Sequence, residues 1–162
     1  MKATALLKKQ HREAKSLFIA LKKESKRSAE ATAEKLVKSL LCHMLIEEEI
    51  FYPAVKAIDD DLVLEAYEEH ATARFAMRRL VDTEGRDEHF EARVTSLREL
   101  IDHHVEEEEE ELFPKVEKKM GDDELNELGD SMKAQFDLYM TEELGALFGK
   151  IEALSPQPSR AA

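Results

Sequence analysis

The chain has 162 residues, of which 43% are hydrophobic and 37% are charged, with 5 Gly, 4 Pro and no Trp. This length predicts one domain with a real core, and the scarcity of turn formers predicts a helical protein. The formal net charge of -12 repels phosphate groups, which argues against binding to nucleic acid or to an anionic membrane surface. The same charge attracts free metal cations.

The single cysteine, Cys42, cannot form a disulfide within the chain. A chain without disulfides is typical of the reducing cytosol. No apolar run approaches the length of a signal segment or a membrane span. We therefore expect a cytoplasmic protein that is a monomer or a weak homodimer.

Apolar residues recur with helical spacing along almost the whole chain. The first helix has one apolar face, made of Leu7, His11, Ala14, Phe18 and Leu21. The basic, serine-containing stretch 22–28 ends it. The second helix has one stripe, made of Leu36, Leu40, His43, Glu47 and Ile50. Pro53 should kink or end this helix, because proline lacks the N–H that a helix interior needs.

The second part of the chain repeats this organisation. Asp59 to Asp61 form a cluster of helix-capping residues. The third helix carries Val63, Ala66, His70, Ala73, Met77 and Leu80. Gly85 breaks the pattern, and Asp87 can cap the next helix. The fourth helix carries Leu97, Leu100, Ile101, His104, Glu108 and Leu112, and Pro114 follows it as Pro53 follows the second.

Gly121 is expected to end that helix, and Asp122 or Asp123 to cap a fifth one. The fifth helix carries Leu125, Leu128, Met132, Phe136, Leu147 and Phe148. Four long helices with short connections predict an all-α fold, an antiparallel up-down-up-down four-helix bundle with an additional C-terminal helix. We place a single domain at residues 1–154 and a flexible tail, rich in Pro, Ser and Ala, at residues 155–162.

An internal repeat carries the chemistry. Residues 43–53 and 104–114 share one pattern: His, three residues, Glu, and later an apolar-aromatic pair before Pro. Each copy follows a helix with a single inward-facing histidine, His11 or His70. Residues four apart on a helix share a face, with Cβ atoms about 5–6 Å apart, so each His–Glu pair can reach one small volume. Two such hairpins predict a bundle with pseudo-twofold symmetry.

Each feature has a simpler interpretation when it is taken alone. In a chain with 6 His and many Glu, roughly one His-x-x-x-Glu pair is expected by chance, and His103 with Glu107 is such a pair. A lone histidine on an apolar face usually belongs to the core. The occurrence of four histidines and two glutamates together on inward-facing stripes favours a metal site. Buried carboxylates are costly unless they are coordinated. The predicted ligands are His11, His43, Glu47, His70, His104 and Glu108.

In order and spacing this pattern resembles the hemerythrin-like HHE cation-binding family, from about residue 6 to residue 119. The resemblance implies a four-helix bundle that holds two iron ions bridged by an oxo or hydroxo group; manganese or zinc also suits mixed nitrogen and oxygen ligands. It implies roles in oxygen binding, in iron or oxygen sensing, and in peroxide or nitric-oxide chemistry.

The chain departs from the oxygen-carrying hemerythrins at two positions. Arg74 stands where they have a second histidine on the third helix, and Glu109 stands where they have an aspartate. Fewer histidines leave metal positions for water, hydroxide or another side chain. Open positions favour reaction with peroxide or O2 over reversible carriage.

We therefore predict a non-heme di-iron protein that binds O2, hydrogen peroxide or NO as its small ligand. The alternative is a catalase- or peroxidase-like enzyme that degrades hydrogen peroxide. Two further hypotheses stay open at this point, a metal-buffering protein without redox chemistry and a helical bundle without metal. Metal content and an absorption spectrum test the last two hypotheses, and O2 evolution from hydrogen peroxide over many turnovers separates the enzyme from the binding protein.

Tyr67, one turn before His70, is the candidate catalytic residue, as a proton donor, hydrogen-bond partner or weak ligand; core packing is its simpler role. Tyr52 is offset from the His43 face unless a kink at Pro53 redirects it. The candidate pocket walls are Phe18, Met44, Phe51, Phe75, Met77, Leu112 and Phe113.

The remaining polar candidates have simple roles. Cys42 points about 100° away from its neighbour His43 on a helix and is expected to be a small buried hydrophobe. His89 and His103 lie off the stripes and should face solvent. The Glu run at residues 106–111 should also be mostly solvated, although Glu109 could look inward.

Overall fold

The structure is a computed structural model that describes residues 1–154, apart from the side chains of Lys26 and Arg27. The described chain is helical almost throughout and contains no strand within residues 1–154. The predicted flexible tail, residues 155–162, lies outside the described residues. Within residues 1–154, no helix is long and apolar enough to cross a membrane.

The helices follow one another with short connections. They are α1 (Ala3–Leu21), α2 (Lys26–Ile46), α3 (Tyr52–Val55), α4 (Asp60–Val81), α5 (Phe90–Glu107), α6 (Phe113–Lys119), α7 (Asp122–Tyr139) and α8 (Leu144–Leu154). Two π-helical turns, Glu47–Phe51 and Glu108–Leu112, join α2 to α3 and α5 to α6. Each of these pairs is therefore one long helix that contains one wide turn.

The helices continue through a π-helical turn past the prolines, and the first ends at Val55, two residues after Pro53, close to where the sequence predicts a kink or an end. In the first π-helical turn the N–H of Tyr52 donates to the carbonyl of Glu47, five residues back. Pro53 then lies in the first turn of α3, where a missing N–H costs little. The second π-helical turn repeats this arrangement before Pro114.

One helix cap is as predicted and two differ. Asp59 caps α4 by accepting a hydrogen bond of 3.2 Å from the N–H of Leu62, which confirms the capping cluster. Asp87 instead accepts from the N–H of His89, one residue before α5 begins. Gly121 is the N-cap of α7 rather than the end of α6. The predicted fifth helix is two helices, α7 and α8, because the chain turns between them.

Four helices surround the core. α1 packs against α2, α4 packs against α5, and further contacts join α2 to α4 and α1 to α5. The largest fully buried side chains include Phe18, Phe51, Tyr52 and Phe113. α7 lies against α1, α2 and the first π-helical turn, and α8 lies against α2. The first half of the repeat is therefore covered by additional helices.

The single cysteine is buried as predicted, and burial raises the pKa of the Cys42 thiol to about 12. His89 and His103 are exposed, which confirms their predicted position. Phe75 was wrongly assigned to the pocket wall, because it is 67% exposed. It lies five residues after His70, which places it about 140° around the helix from that ligand.

Candidate metal centre

Four buried imidazoles are held by hydrogen bonds at Nδ1. The bonds join His11 to Glu109 Oε1 at 2.7 Å, His43 to Gln10 Oε1 at 2.7 Å, His70 to Glu48 Oε1 at 3.0 Å and His104 to Glu69 Oε2 at 2.8 Å. Each Nδ1–H donates to an acceptor oxygen, so the proton is fixed on that nitrogen. The Nε2 atoms of His11 and His43 have no hydrogen bond in the described structure, which leaves them as lone pairs, the form in which histidine binds metals. The Nε2 atoms of His70 and His104 lie 3.0 Å from each other.

Two buried carboxylates lie among these Nε2 atoms. Glu47 Oε2 is 3.2 Å from His43 Nε2 and 3.4 Å from His70 Nε2. Glu108 Oε2 is 3.4 Å from His11 Nε2 and 3.7 Å from His104 Nε2. Each carboxylate therefore contacts one histidine from each half of the repeat, and both halves build one centre.

The ligand atoms form two overlapping groups. The first group is His11, His43, Glu47 and Glu108, and the second is Glu47, His70 and His104; within each group the atoms lie within 4.8 Å of one another. Glu47 belongs to both groups. A carboxylate shared in this way can bridge two cations, so the structure brings all six predicted ligands together around two adjacent positions.

Several atoms of this centre are buried without a hydrogen bond in the described structure. They are His11 Nε2, His43 Nε2, both carboxylate oxygens of Glu47, and Glu108 Oε2. Buried polar atoms without partners are rare and costly, whereas coordination to a cation would satisfy all of them. The donor set of imidazole nitrogens and carboxylate oxygens suits iron, manganese or zinc. The residues therefore fit a metal pair.

The protonation of the centre follows from burial and from its own charges. Burial and the nearby His11 hold the pKa of His43 well below its usual range, and burial with His104 does the same for His70. Burial and the Glu108 carboxylate raise the pKa of Glu47. His43 and His70 are therefore held neutral, as cation binding requires. Burial would lower the pKa of His104, but Glu108 and the hydrogen bond to Glu69 raise it. A cation would offset the repulsion between the Glu47 and Glu108 carboxylates.

Tyr52 also reaches the centre. Its hydroxyl donates to Glu108 Oε1 at 2.9 Å and lies 3.2 Å from His70 Nε2. In a regular α-helix Tyr52 would lie about 180° from the His43 face, which is why the sequence pattern sets it aside. The intervening π-helical turn changes its direction. Burial, followed by Glu108, raises the pKa of the Tyr52 hydroxyl, so it keeps its proton.

Tyr67 forms its hydrogen bond with the backbone next to the predicted ligand Glu47. Its hydroxyl donates to the backbone carbonyl of Glu48 at 3.2 Å. In the π-helical register that carbonyl faces Pro53, which has no N–H to offer. Tyr67 therefore replaces a missing backbone donor, and its ring lies 5.2 Å from that of Tyr52. Among the described side chains, the tyrosine in contact with the predicted ligands is Tyr52, and a catalytic role of Tyr67 stays a prediction.

Sequence reasoning missed the outer residues that hold the ligands. Glu48 is buried, accepts from His70, and forms an ion pair with Arg74. Burial raises the pKa of Glu48 to about 7, although Arg74 opposes the shift. The sequence does contain a signal for two other outer residues, Gln10 and Glu69. They directly precede His11 and His70, at equivalent positions of the repeat, and they hold His43 and His104.

The pair of His103 and Glu107, attributed to chance, does not reach the buried ligands. His103 Nε2 lies 3.3 Å from Glu69 Oε1 and 3.5 Å from Glu107 Oε1, with the imidazole largely exposed. Glu69 uses its other oxygen to hold His104. The pair therefore belongs to the outer surface of the centre.

These features, a helical chain with paired His/Glu groups in its core, define a cation-binding helical protein. The hemerythrin HHE cation binding domain matches residues 2–116, and the chain belongs to that family. Its structure is similar to the crystal structure of a hemerythrin HHE cation binding domain-containing protein from Mycobacterium kansasii, at 28% identity and a TM-score of 0.80. The similarity covers 95% of this chain and 96% of that one. No curated protein matches the chain.

Proposed function

We propose that the chain holds two iron ions and binds O2, peroxide or NO at this centre. The observation that carries the proposal is Glu47, whose two buried oxygens have no hydrogen bond in the described structure and which belongs to both ligand groups. The remaining ligands are His11, His43, His70, His104 and Glu108. When bound, iron supplies exchangeable electrons and open coordination positions for a small oxidant.

The finer topology belongs to the same proposal. We propose that α1, α2, α4 and α5 run up-down-up-down as an antiparallel four-helix bundle. The contacts of α1 with α2 and α5, and of α4 with α2 and α5, support this arrangement. Short connections at 22–25 and 82–89 also support it, since they suit antiparallel neighbours.

The chain's own residues would prepare the site in three ways. The four Nδ1 hydrogen bonds fix the orientation of the imidazoles. The Glu48–Arg74 ion pair places a positive charge behind His70. Phe51 and Phe113, both fully buried, pack edge to face beside the site and keep water out. Charge and composition support a cytoplasmic protein that is a monomer or a weak homodimer and binds neither nucleic acid nor membranes.

A second candidate is a catalase- or peroxidase-like enzyme, which Tyr52 favours. The Tyr52 hydroxyl contacts both Glu108 and His70 in the described structure. A positioned O–H next to a carboxylate can give or take a proton during the cleavage of a peroxide. A protein that only stores metal would have no use for such a group.

Metal analysis tests the first proposal. After anaerobic reconstitution with Fe²⁺, we expect about two iron ions per chain, set by the two ligand groups. We also expect a near-ultraviolet and visible absorption that changes with O2 or azide. Less than about one equivalent of any transition metal per chain would reject the proposal.

Oxygen release tests the second candidate. The iron-loaded protein should evolve O2 from hydrogen peroxide over many turnovers if it is a catalase. If peroxide instead bleaches the absorption stoichiometrically and without turnover, the enzyme hypothesis is rejected and the binding-protein hypothesis is kept.

A further inference from the structure

A groove of about 440 Å³ lies on the surface between α1 and α5. Charged side chains, among them Arg12 and Glu110, line part of it, and the apolar side chains of Ile101 and Val105 line another part. One imidazole of the centre, that of His11, also borders the groove. The groove therefore connects solvent with a predicted ligand.

A second, much smaller cavity lies among α1, α2 and α5. Its volume is about 10 Å³, and the imidazoles of His11, His43 and His104 line it. Its other walls are largely apolar and include Met44. The Nε2 atoms of His11 and His43 are buried without a hydrogen bond. A cavity of this size accommodates about one water-sized molecule.

The two cavities share three lining residues, His11, Ile101 and Val105. These three residues therefore lie where the outer groove and the inner cavity meet, and together they form a partition. Ile101 is buried and Val105 is half-buried. Small rotamer changes of two such aliphatic side chains occur quickly and would open a narrow passage.

We propose that small oxidants reach the centre through this α1–α5 partition, and that Ile101 and Val105 set an upper limit on their size. Molecules with two heavy atoms, such as O2, NO and hydrogen peroxide, pass, and organic hydroperoxides are excluded. The apolar partition also favours uncharged molecules, because it offers a charge no solvation. The inference rests on the proposed function and names the substrate class of the same centre.

Met44 is a natural reporter, because it lines the inner cavity and is 1% exposed. A peroxide oxidises methionine by transferring one oxygen to sulfur, while its O–O bond breaks and water or an alcohol leaves. The full chain is treated with hydrogen peroxide or tert-butyl hydroperoxide in the presence of Zn²⁺, which has no redox chemistry. Sulfoxide at each methionine is measured by peptide mass spectrometry.

The largely exposed Met1 reports the intrinsic reactivity of each reagent, and the buried Met77 reports general opening of the core. We expect hydrogen peroxide to oxidise Met44 faster than Met77, and tert-butyl hydroperoxide to oxidise Met1 but spare Met44. Val105→Ala should raise the rate of the larger reagent at Met44 about tenfold. Val81→Ala, at another half-buried valine, should leave the rate of the larger reagent at Met44 unchanged. Equal rates at Met44 and Met77, or no effect of Val105→Ala, would overturn the proposal.

The iron-loaded protein provides the second arm. Val105→Phe should lower the association rate of NO, followed by absorbance after rapid mixing, about tenfold. Val81→Phe should leave that rate unchanged. An unchanged rate in Val105→Phe would overturn the route. If the wild-type chain binds neither iron nor NO, the proposed function fails, and the methionine experiment still decides the route.

Discussion

The two halves of the repeat provide the same ligands but different surroundings. The first half places Tyr52 directly before its proline, and the second half places Phe113 there. Glu48 of the first half is buried against Arg74, whereas the equivalent Glu109 is 35% exposed. Ligand positions recur because both halves must reach one centre, and the residues around them are free to differ.

This difference makes the contributions of the two halves to the candidate centre chemically unequal. The Tyr52 hydroxyl, which the first half provides, contacts Glu108 of one ligand group and His70 of the other. In the part of the chain that the structure describes, the second half has Phe113 at the equivalent position and provides no such hydroxyl. A single hydroxyl shared by both ligand groups suits the proposed centre, in which it would serve as the proton donor.

Removing one imidazole from each half should have the largest effect. His43→Ala combined with His104→Ala takes one ligand from each group, so stoichiometric metal binding should be lost. Helicity by circular dichroism should be largely kept, because packing of the apolar faces supplies most helix stability. Metal content per chain is the measurement, with His89→Ala at an exposed histidine as the control. Retention of two metals in the double variant would show that the centre is wrongly placed.

The next largest effect tests the buried ion pair of the first half. Arg74→Met leaves the Glu48 carboxylate buried without its cation, and the free energy of unfolding should fall by about 3 kcal/mol. Urea denaturation of the metal-free protein measures this loss.

The matched control is Lys15→Met, because Lys15 follows His11 as Arg74 follows His70. Lys15 is exposed, so its replacement should change stability by less than about 0.5 kcal/mol. Similar losses in both variants would remove the proposed asymmetry of the two halves.

A third prediction concerns the cover over the first half. Gly129 of α7 faces the start of α1, where a Cβ atom would overlap the carbonyl oxygen of Met1 and lie 2.8 Å from the nitrogen of Ala3. Gly129→Ala should therefore lower the free energy of unfolding by about 2 kcal/mol, since backbone must move. Gly149→Ala in α8 has open space within 4 Å and should stabilise the protein by up to about 1 kcal/mol. A neutral Gly129→Ala would mean that α7 does not pack closely on α1.

Sequence periodicity predicted which six His and Glu side chains would meet in the core, because six strong constraints coincide. The histidines and glutamates sit on apolar stripes, and a stripe identifies the buried face of a helix. The four long helices and the capping residue Asp59 follow from equally local signals. The two-helix ending, α7 and α8, does not, because the apolar pattern continues across the turn between them.

Periodicity failed where the helix departs from regular geometry. The π-helical turns begin at the ligands Glu47 and Glu108, and no propensity scale marks them in advance. The sequence pattern therefore left Tyr52 offset from the His43 face unless the helix kinks at Pro53, and Tyr67 was preferred. The outer partners Gln10 and Glu69 lie one position from the apolar stripe, so they appear as solvent-facing residues until the neighbouring helix is in place.

The smallest effect isolates the one hydroxyl by which the halves differ at the centre. Tyr52→Phe makes the first half resemble the second, which has Phe113. It removes a buried hydrogen bond to Glu108, and the metal-free protein should lose about 1 kcal/mol of unfolding free energy. Metal content should stay at two per chain, because the six principal ligands remain, while the iron absorption or the peroxide turnover should change. Tyr67→Phe is the control, since its hydroxyl serves a backbone carbonyl: it should cost similar stability and leave both readouts of the centre unaltered. If the two variants change the absorption and turnover alike, Tyr52 has no special place at the centre and the two halves are chemically equivalent.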